Sequence, residues 1–123
     1  MAAEIHIGDY NTEYIFPLYD TDQEEVNFDP TNAASKKLTF KNPGVAVLQE
    51  RNAVASQRMI NGVQTWCLVY TVTKADVDNG FFHTTTGTVK IQAVLDYITG
   101  KWSSNIVSKD ANGEDIKIYP NLV

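Results

Sequence analysis

The chain has 123 residues, of which 43% are apolar and 20% charged, with a net charge of −5. That length fits one domain, residues 1–123, able to bury about two-thirds of its unfolded surface without a disulfide framework, and the composition excludes a disordered chain. The acidic balance and scattered lysines, with Lys36-Lys37 the tightest pair, argue against a nucleic-acid partner, because phosphate binding needs a local excess of positive charge.

The opening MAAEIHIGDY has neither a basic n-region nor an apolar h-region, so no secretory signal is expected there. No apolar run nears the roughly 18 residues of a membrane span, so no membrane partner is expected, and the chain is expected to fold in a cytoplasm. EIHIG (4–8) and NTEYIFPLYD (11–20) are extended segments. In the second, Tyr14, Phe16 and Leu18 alternate with Glu13, Ile15 and Pro17. Pro17 has no N–H to give a ladder, which puts this strand at an edge or on a bulge. The acidic run DTDQEEVNFDP places Asp20, Asp22 and Glu24 at the spacing that starts a calcium loop. Its sixth position is Glu25 instead of Gly and its twelfth is Thr31 instead of Glu, so the EF-hand pattern fails and a solvated loop is expected.

KKLTFKN (36–42) is the next strand, closed by a turn at Asn42-Pro43-Gly44. Residues 45–58 are polar enough for an edge or irregular strand, joined through Asn61-Gly62 to QTWCLVYTVT (64–73). Both faces of that segment are apolar, which predicts a central strand covered on both sides. TKADVDNG (73–80) predicts a short helical turn near 74–79, with Thr73 as cap, Asp76 in the capping-box position and Gly80 as stop. From Thr88 the chain alternates, with Val89, Ile91, Ala93, Leu95 and Tyr97 on one face. Thr99-Gly100 is expected to reverse it, with Gly100 supplying a positive φ, into a return strand on which Trp102 and Ile106 share a face. GEDIKIYP, after a turn at Ala111-Asn112-Gly113, is the last strand. About seven or eight strands with regular turn signals predict an all-β fold, an antiparallel β-sandwich.

The chemistry-bearing residues form no catalytic pattern. His6 and His83 lack a partner at metal-ligand spacing, so no metal site is expected. Cys67, the single cysteine, lies in an apolar run and reads as a small buried hydrophobe. There is no G-x-S-x-G elbow and no glycine-rich phosphate loop. Asp96 sits on the polar face of its strand, so a solvent role is simpler than half of a glycosidase carboxylate pair. Trp66 and Trp102 lie inside strands and read as core aromatics rather than a sugar platform. FFHTTTG (81–87) either exposes Phe81 and Phe82 as an interaction patch or tucks them under the sandwich end. The chain is therefore expected to be no enzyme and to need no cofactor.

Three blocks in order, KKLTFKNPG (36–44), YTVTKADVDNG (70–80) and GTVKIQAVLDYITGKWSSNIV (87–107), resemble the immunoglobulin-like N-terminal domain of the upper baseplate protein family of tailed bacteriophages. Phe40-Lys41-Asn42-Pro43 stands for that family's Phe-Lys-Lys-Pro-like turn. Tyr70 to Asp78 stands for its Tyr-Thr strand and short acidic turn. Gly87-Thr88 with Gln92-Ala93, then Gly100-Lys101-Trp102, stand for its Gly-Thr-Trp-x-x-Gln-Ala strand and Gly-Lys-Trp return. Val89 stands where the family has Trp, and residues 45–63 are not a close match.

The resemblance implies an immunoglobulin-like sandwich serving as a non-enzymatic structural subunit of a tailed-phage virion. Such a subunit is made in the host bacterial cytoplasm and docks to other phage structural proteins in the tail, baseplate or neck and collar, in multiple copies around a ring. The family's long C-terminal parts are absent, so the chain is expected to be the docking module alone. The ends, 1–8 and 119–123, are candidate arms that order on assembly. Ile5, Ile7, Tyr10, Phe81, Phe82, Tyr119, Leu122 and Val123 are the candidate interface. The alternatives are a capsid-surface decoration protein and a carbohydrate-binding adhesion module that takes a glycan.

Overall fold

The computed structural model describes residues 4–19 and 26–121. Asp20, Asp22, Glu24 and Glu25 of the acidic run, and Leu122 and Val123 of the candidate interface, lie outside the described residues. In chain order the strands are β1 (Ile5–His6), β2 (Glu13–Pro17), β3 (Ser35–Lys41), β4 (Gln49–Asn52), β5 (Val54–Ile60) and β6 (Val63–Thr71). The helix α1 (Lys74–Asp78) comes next, then β7 (Gly87–Thr88), β8 (Lys90–Tyr97), β9 (Gly100–Ser103) and β10 (Lys117–Tyr119). Two main sheets, ordered β2-β6-β5 and β4-β3-β8-β9, are antiparallel throughout, as the patterning predicts. Their facing side chains make the core of a β-sandwich: Tyr14, Phe16 and Leu68 from one sheet, with Val72 just past the end of β6, and Leu38, Phe40, Ile91 and Leu95 from the other.

The third sheet, ordered β1-β10-β7, joins the two ends of the chain. Ile5 pairs with Ile118 and His6 with Tyr119 in a parallel ladder. The Ile7 N–H donates to the Tyr119 carbonyl at 3.1 Å, and the Asn121 amide donates to the Ile7 carbonyl at 3.1 Å. This corrects the expectation of arms at 4–8 and 119–121. Ile5 and Ile118 are both buried, and the sandwich gains their apolar area only by binding the ends into a sheet.

Residues 45–60 also differ from a single hairpin strand. The chain changes sheets at Ala53: Gln49–Asn52 pairs with β3, whereas Val54–Ile60 pairs with β6. Both pieces are edge strands, as their polarity predicts. The Asn61-Gly62 turn forms as expected, both residues at positive φ (50° and 79°), the geometry of a two-residue hairpin loop. Pro17 ends β2, which is an edge strand.

The β8–β9 hairpin carries two corrections. Tyr97 pairs with Gly100, so the loop is Ile98-Thr99, and Gly100 is the first residue of the return strand with no positive φ. The return strand stops at Ser103. Val94 pairs with Ser103, but Ile91 bridges to Val107, so one extra residue enters the β9 side between them. Ser104 fills this bulge, its N–H on the Ala93 carbonyl and its Oγ accepting the Ala93 N–H, both at 2.9 Å. A one-residue slip exchanges the two faces of a strand. Val107 therefore packs on the core together with Trp102, which stacks edge-on against Phe28 at 4.9 Å, while Ile106 is exposed.

β6 is the middle strand of its sheet, and among the described residues no further sheet or helix is paired onto its outer face. Cys67 and Val69 are buried there all the same. Arg58 on β5 reaches Glu13 on β2 through two hydrogen bonds, of 3.1 and 3.0 Å. β6 lies between those strands, so the ion pair runs across it, with Ser56 holding the Arg58 Nε at 3.1 Å. Burial pushes the Cys67 thiol pKa up, as for a packed hydrophobe.

Candidate interaction surface

The segments that carry the predicted interface come together. Strand β1 runs into residues 7–11, whose backbone is fixed at both ends: the Gly8 N–H donates to the His83 carbonyl at 3.0 Å, and the Asn11 N–H to the Val72 carbonyl at 2.7 Å. The Ile7–Tyr119 bond ties in the C-terminal strand. Tyr10, Phe81 and Tyr119 thus stand on three segments linked by direct backbone hydrogen bonds, with 48%, 39% and 39% of their surface exposed.

Phe82 takes the other course left open by the sequence. It is fully buried and packs against Tyr14, Phe40 and Tyr70, with ring centroids 5.1 Å from Phe40. Ile5 is buried as well, and Ile7 is half-buried. Of the predicted interface, only Tyr10, Phe81 and Tyr119 among the described residues present large exposed surface.

Two buried polar clusters hold this end of the sandwich. At residue 83 the backbone is left-handed (φ 57°), which turns the imidazole inward between Tyr14 and Asp9. The Asp9 carbonyl can only accept, so the His83 Nδ1 carries the proton; the Nε2, 2.9 Å from the Tyr14 hydroxyl, then accepts from it. Burial lowers the His83 pKa and raises that of Tyr14, so both are neutral near pH 7.

The second cluster centres on Asp76, only 7% exposed, in the first turn of α1. Its Oδ2 accepts the Thr73 N–H at 3.1 Å, and the Thr73 hydroxyl accepts the Asp76 N–H at 3.1 Å, completing the predicted capping box. The same carboxylate accepts a short hydrogen bond from the Tyr70 hydroxyl. Arg51 donates to Oδ1 through Nε at 3.2 Å and Nη2 at 3.0 Å. Burial alone would raise the Asp76 pKa, but the bonds from Tyr70, Thr73 and Arg51 outweigh it and hold the carboxyl below its ordinary value. Tyr70, desolvated and bonded to that carboxylate, is pushed up to about 12. The Arg51 guanidinium also lies 5.4 Å from the Phe82 ring and 6.0 Å from that of Phe81. One arginine thus ties β4, α1 and the 81–82 segment together.

Sequence reasoning found Asp76 as a cap but missed Arg51, 25 residues away, and Tyr70, six residues away on the preceding strand, because no local pattern signals either partner. Asn27 was also missed. Its side chain substitutes for a strand beyond the end of β2, accepting the Trp66 N–H at 2.8 Å and donating to the Trp66 and Leu18 carbonyls at 3.0 and 2.6 Å.

Two open clefts lie elsewhere. One, of about 380 Å³, runs beside Lys41, Pro43 and Lys90; the other, of about 420 Å³, runs beside Tyr19, Ile60 and Thr65. Neither is lined by a histidine or a carboxylate among the described residues. Asn42, at the first cleft, is buried, and its side-chain amide has no hydrogen-bond partner among the described residues. No group of three or more His, Cys, Asp or Glu among the described residues could hold a metal ion, and no described helix is long and apolar enough to cross a membrane.

Fold and surface together define an all-β sandwich whose buried polar side chains fasten one end and whose exposed aromatics stand on that fastened end. Compared with protein-family models, with curated proteins and with solved structures, the chain matches none.

Proposed function

We propose that the chain is a non-enzymatic structural subunit of a tailed-phage virion. It docks to neighbouring phage proteins in the tail, baseplate or neck, in multiple copies around a ring. The observation that carries this reading is the placement of Tyr10, Phe81 and Tyr119 on three segments joined by backbone hydrogen bonds. Large aromatics on a rigid backbone lose little conformational entropy when covered, which is what a docking anchor needs. The buried titratable groups favour the same reading. Asp76, Arg51, Tyr70 and His83 are each engaged in bonds that fasten the fold.

The resemblance of 36–44, 70–80 and 87–107 to the baseplate domain supports the immunoglobulin-like and virion parts of this proposal. Those blocks make β3 with its turn, the β6–α1 corner and the β8–β9 hairpin. Val89, where that family has Trp, is fully buried here.

The test is incorporation. Phage carrying Tyr10→Ala, Phe81→Ala and Tyr119→Ala together are expected to yield particles depleted of a chain that still folds. Undiminished incorporation would remove this surface from the account. A capsid-surface decoration protein is the second reading of the same sandwich. Electron microscopy of particles lacking the chain separates the two by where density is lost.

A further inference from the structure

β5 is the outer strand of its sheet, and its open edge differs from the others. β2 ends in Pro17, and β4 and β9 are four residues each. β5 has seven residues, pairs with β6 without a bulge and contains no proline. Such an edge is a template for another strand unless something blocks it.

The hairpin register says which backbone groups are free. Ile60 and Val63 close the two-residue Asn61-Gly62 loop as a hydrogen-bonded pair, and bonded pairs recur at every second residue. Val54, Ser56, Arg58 and Ile60 therefore direct their N–H and C=O groups at β6. Ala55, Gln57 and Met59 direct theirs outward. No other element among the described residues takes up those three.

The strand is also complementary to itself. Antiparallel to a second copy and centred on Gln57, Val54 meets Ile60, Ala55 meets Met59, Ser56 meets Arg58, and Gln57 meets Gln57. Apolar side chains meet at both ends and polar ones in the middle. Val54 and Met59, 68% and 65% exposed in the single chain, are covered. All three outward residues fall in bonded pairs, for about six new backbone hydrogen bonds. Sliding the register by two residues one way sets Arg58 directly against Arg58, which like-charge repulsion opposes. In the centred register each Arg58 faces a serine and keeps its own Glu13.

We propose that β5 pairs with β5 of a second copy of this chain, antiparallel and two-fold symmetric about Gln57, so that two three-stranded sheets become one of six strands. This edge is made of residues other than Tyr10, Phe81 and Tyr119, and the pairing does not depend on the virion reading.

Gln57→Pro is the discriminating variant. The N–H it deletes points away from β6, so the intramolecular ladder is untouched, and proline is tolerated on such an edge. Sedimentation of the wild type is expected to show a monomer–dimer equilibrium that rises with concentration. Gln57→Pro is expected to weaken it by roughly tenfold or more, as losing even 1.4 kcal/mol requires, without lowering the melting temperature.

A second pair of variants stands even if the proline disturbs folding. Paired residues in this register have Cα atoms about 5.5 Å apart, within disulfide reach, so Gln57→Cys should cross-link under mild oxidation. Met59→Cys, which faces Ala55 of the other copy, should not. A wild type that stays monomeric up to its solubility limit would overturn the proposal. So would a dimer indifferent to Gln57→Pro, or cross-linking as fast through Met59→Cys as through Gln57→Cys.

Discussion

Removing the Asp76 carboxylate should be the most damaging single change to the fastened end. Asp76→Ala deletes the acceptor for Arg51 Nε and Nη2, for the Tyr70 hydroxyl and for the Thr73 N–H. Breaking one partner of a buried ion pair costs about 3–5 kcal/mol, and losing a helix cap about 1 kcal/mol. Arg51 keeps 23% of its side chain in solvent and can regain some hydration, which brings the total to about 3 kcal/mol. That is a large part of the ~5–15 kcal/mol that stabilises a domain, and corresponds to a melting temperature lower by about 10 °C.

Urea unfolding followed by the fluorescence of Trp66 and Trp102 measures it. A double-mutant cycle of Asp76→Asn with Arg51→Met should return a coupling energy of about 2 kcal/mol. The pH dependence supplies an independent check. The folded carboxyl has a lowered pKa. Its contribution is therefore full above the unfolded value of about 3.9 and is lost as pH falls through the folded one. The gap between wild type and Asp76→Asn should be constant from neutral pH to about 5 and close in stronger acid. A loss below about 1 kcal/mol for Asp76→Ala, or a gap that does not close in acid, would refute the claim that this carboxylate is the hub.

Three further outcomes follow from the same structure. His83 has a depressed pKa, so below the unfolded value of about 6.5 the unfolded chain binds a proton that the folded one resists. Wild-type stability should fall as pH drops from there towards the folded value. His83→Asn, whose side chain tolerates the left-handed backbone, should flatten that slope in urea titrations. Arg58→Ala should cost under about 1 kcal/mol, because the Arg58–Glu13 pair is largely exposed. It should nevertheless open Cys67, raising the rate of labelling by a thiol reagent in the folded protein. Gly44→Ala should destabilise by about 1–3 kcal/mol in thermal melts, because φ is +77° and an added Cβ would collide with the Thr85 side chain.

What the sequence showed, and what it hid, follows from the range of each interaction. The sandwich, the Asn61-Gly62 hairpin and the capped turn at Thr73 were legible because period-2 alternation and turn chemistry are local. Gly100 reads as a loop residue but starts the return strand, because a glycine near a reversal fits either place. The Ser104 bulge left no mark in composition, yet it exchanged the roles of Ile106 and Val107. The ends read as arms in the sequence because parallel pairing of Ile5 with Ile118 joins residues far apart along the chain. Of the candidate interface, Tyr10, Phe81 and Tyr119 are exposed. Phe82 went to the core because the space between Tyr14, Phe40 and Tyr70 takes one ring.

The proposed role is tested most directly by quantitative mass spectrometry of tailed-phage particles purified from a lysate in which the chain is produced. The account predicts peptides of this protein in those particles at a fixed ratio to a tail, baseplate or neck protein, in multiple copies per virion. Their absence from intact particles, in a lysate where the chain is abundant, would contradict it.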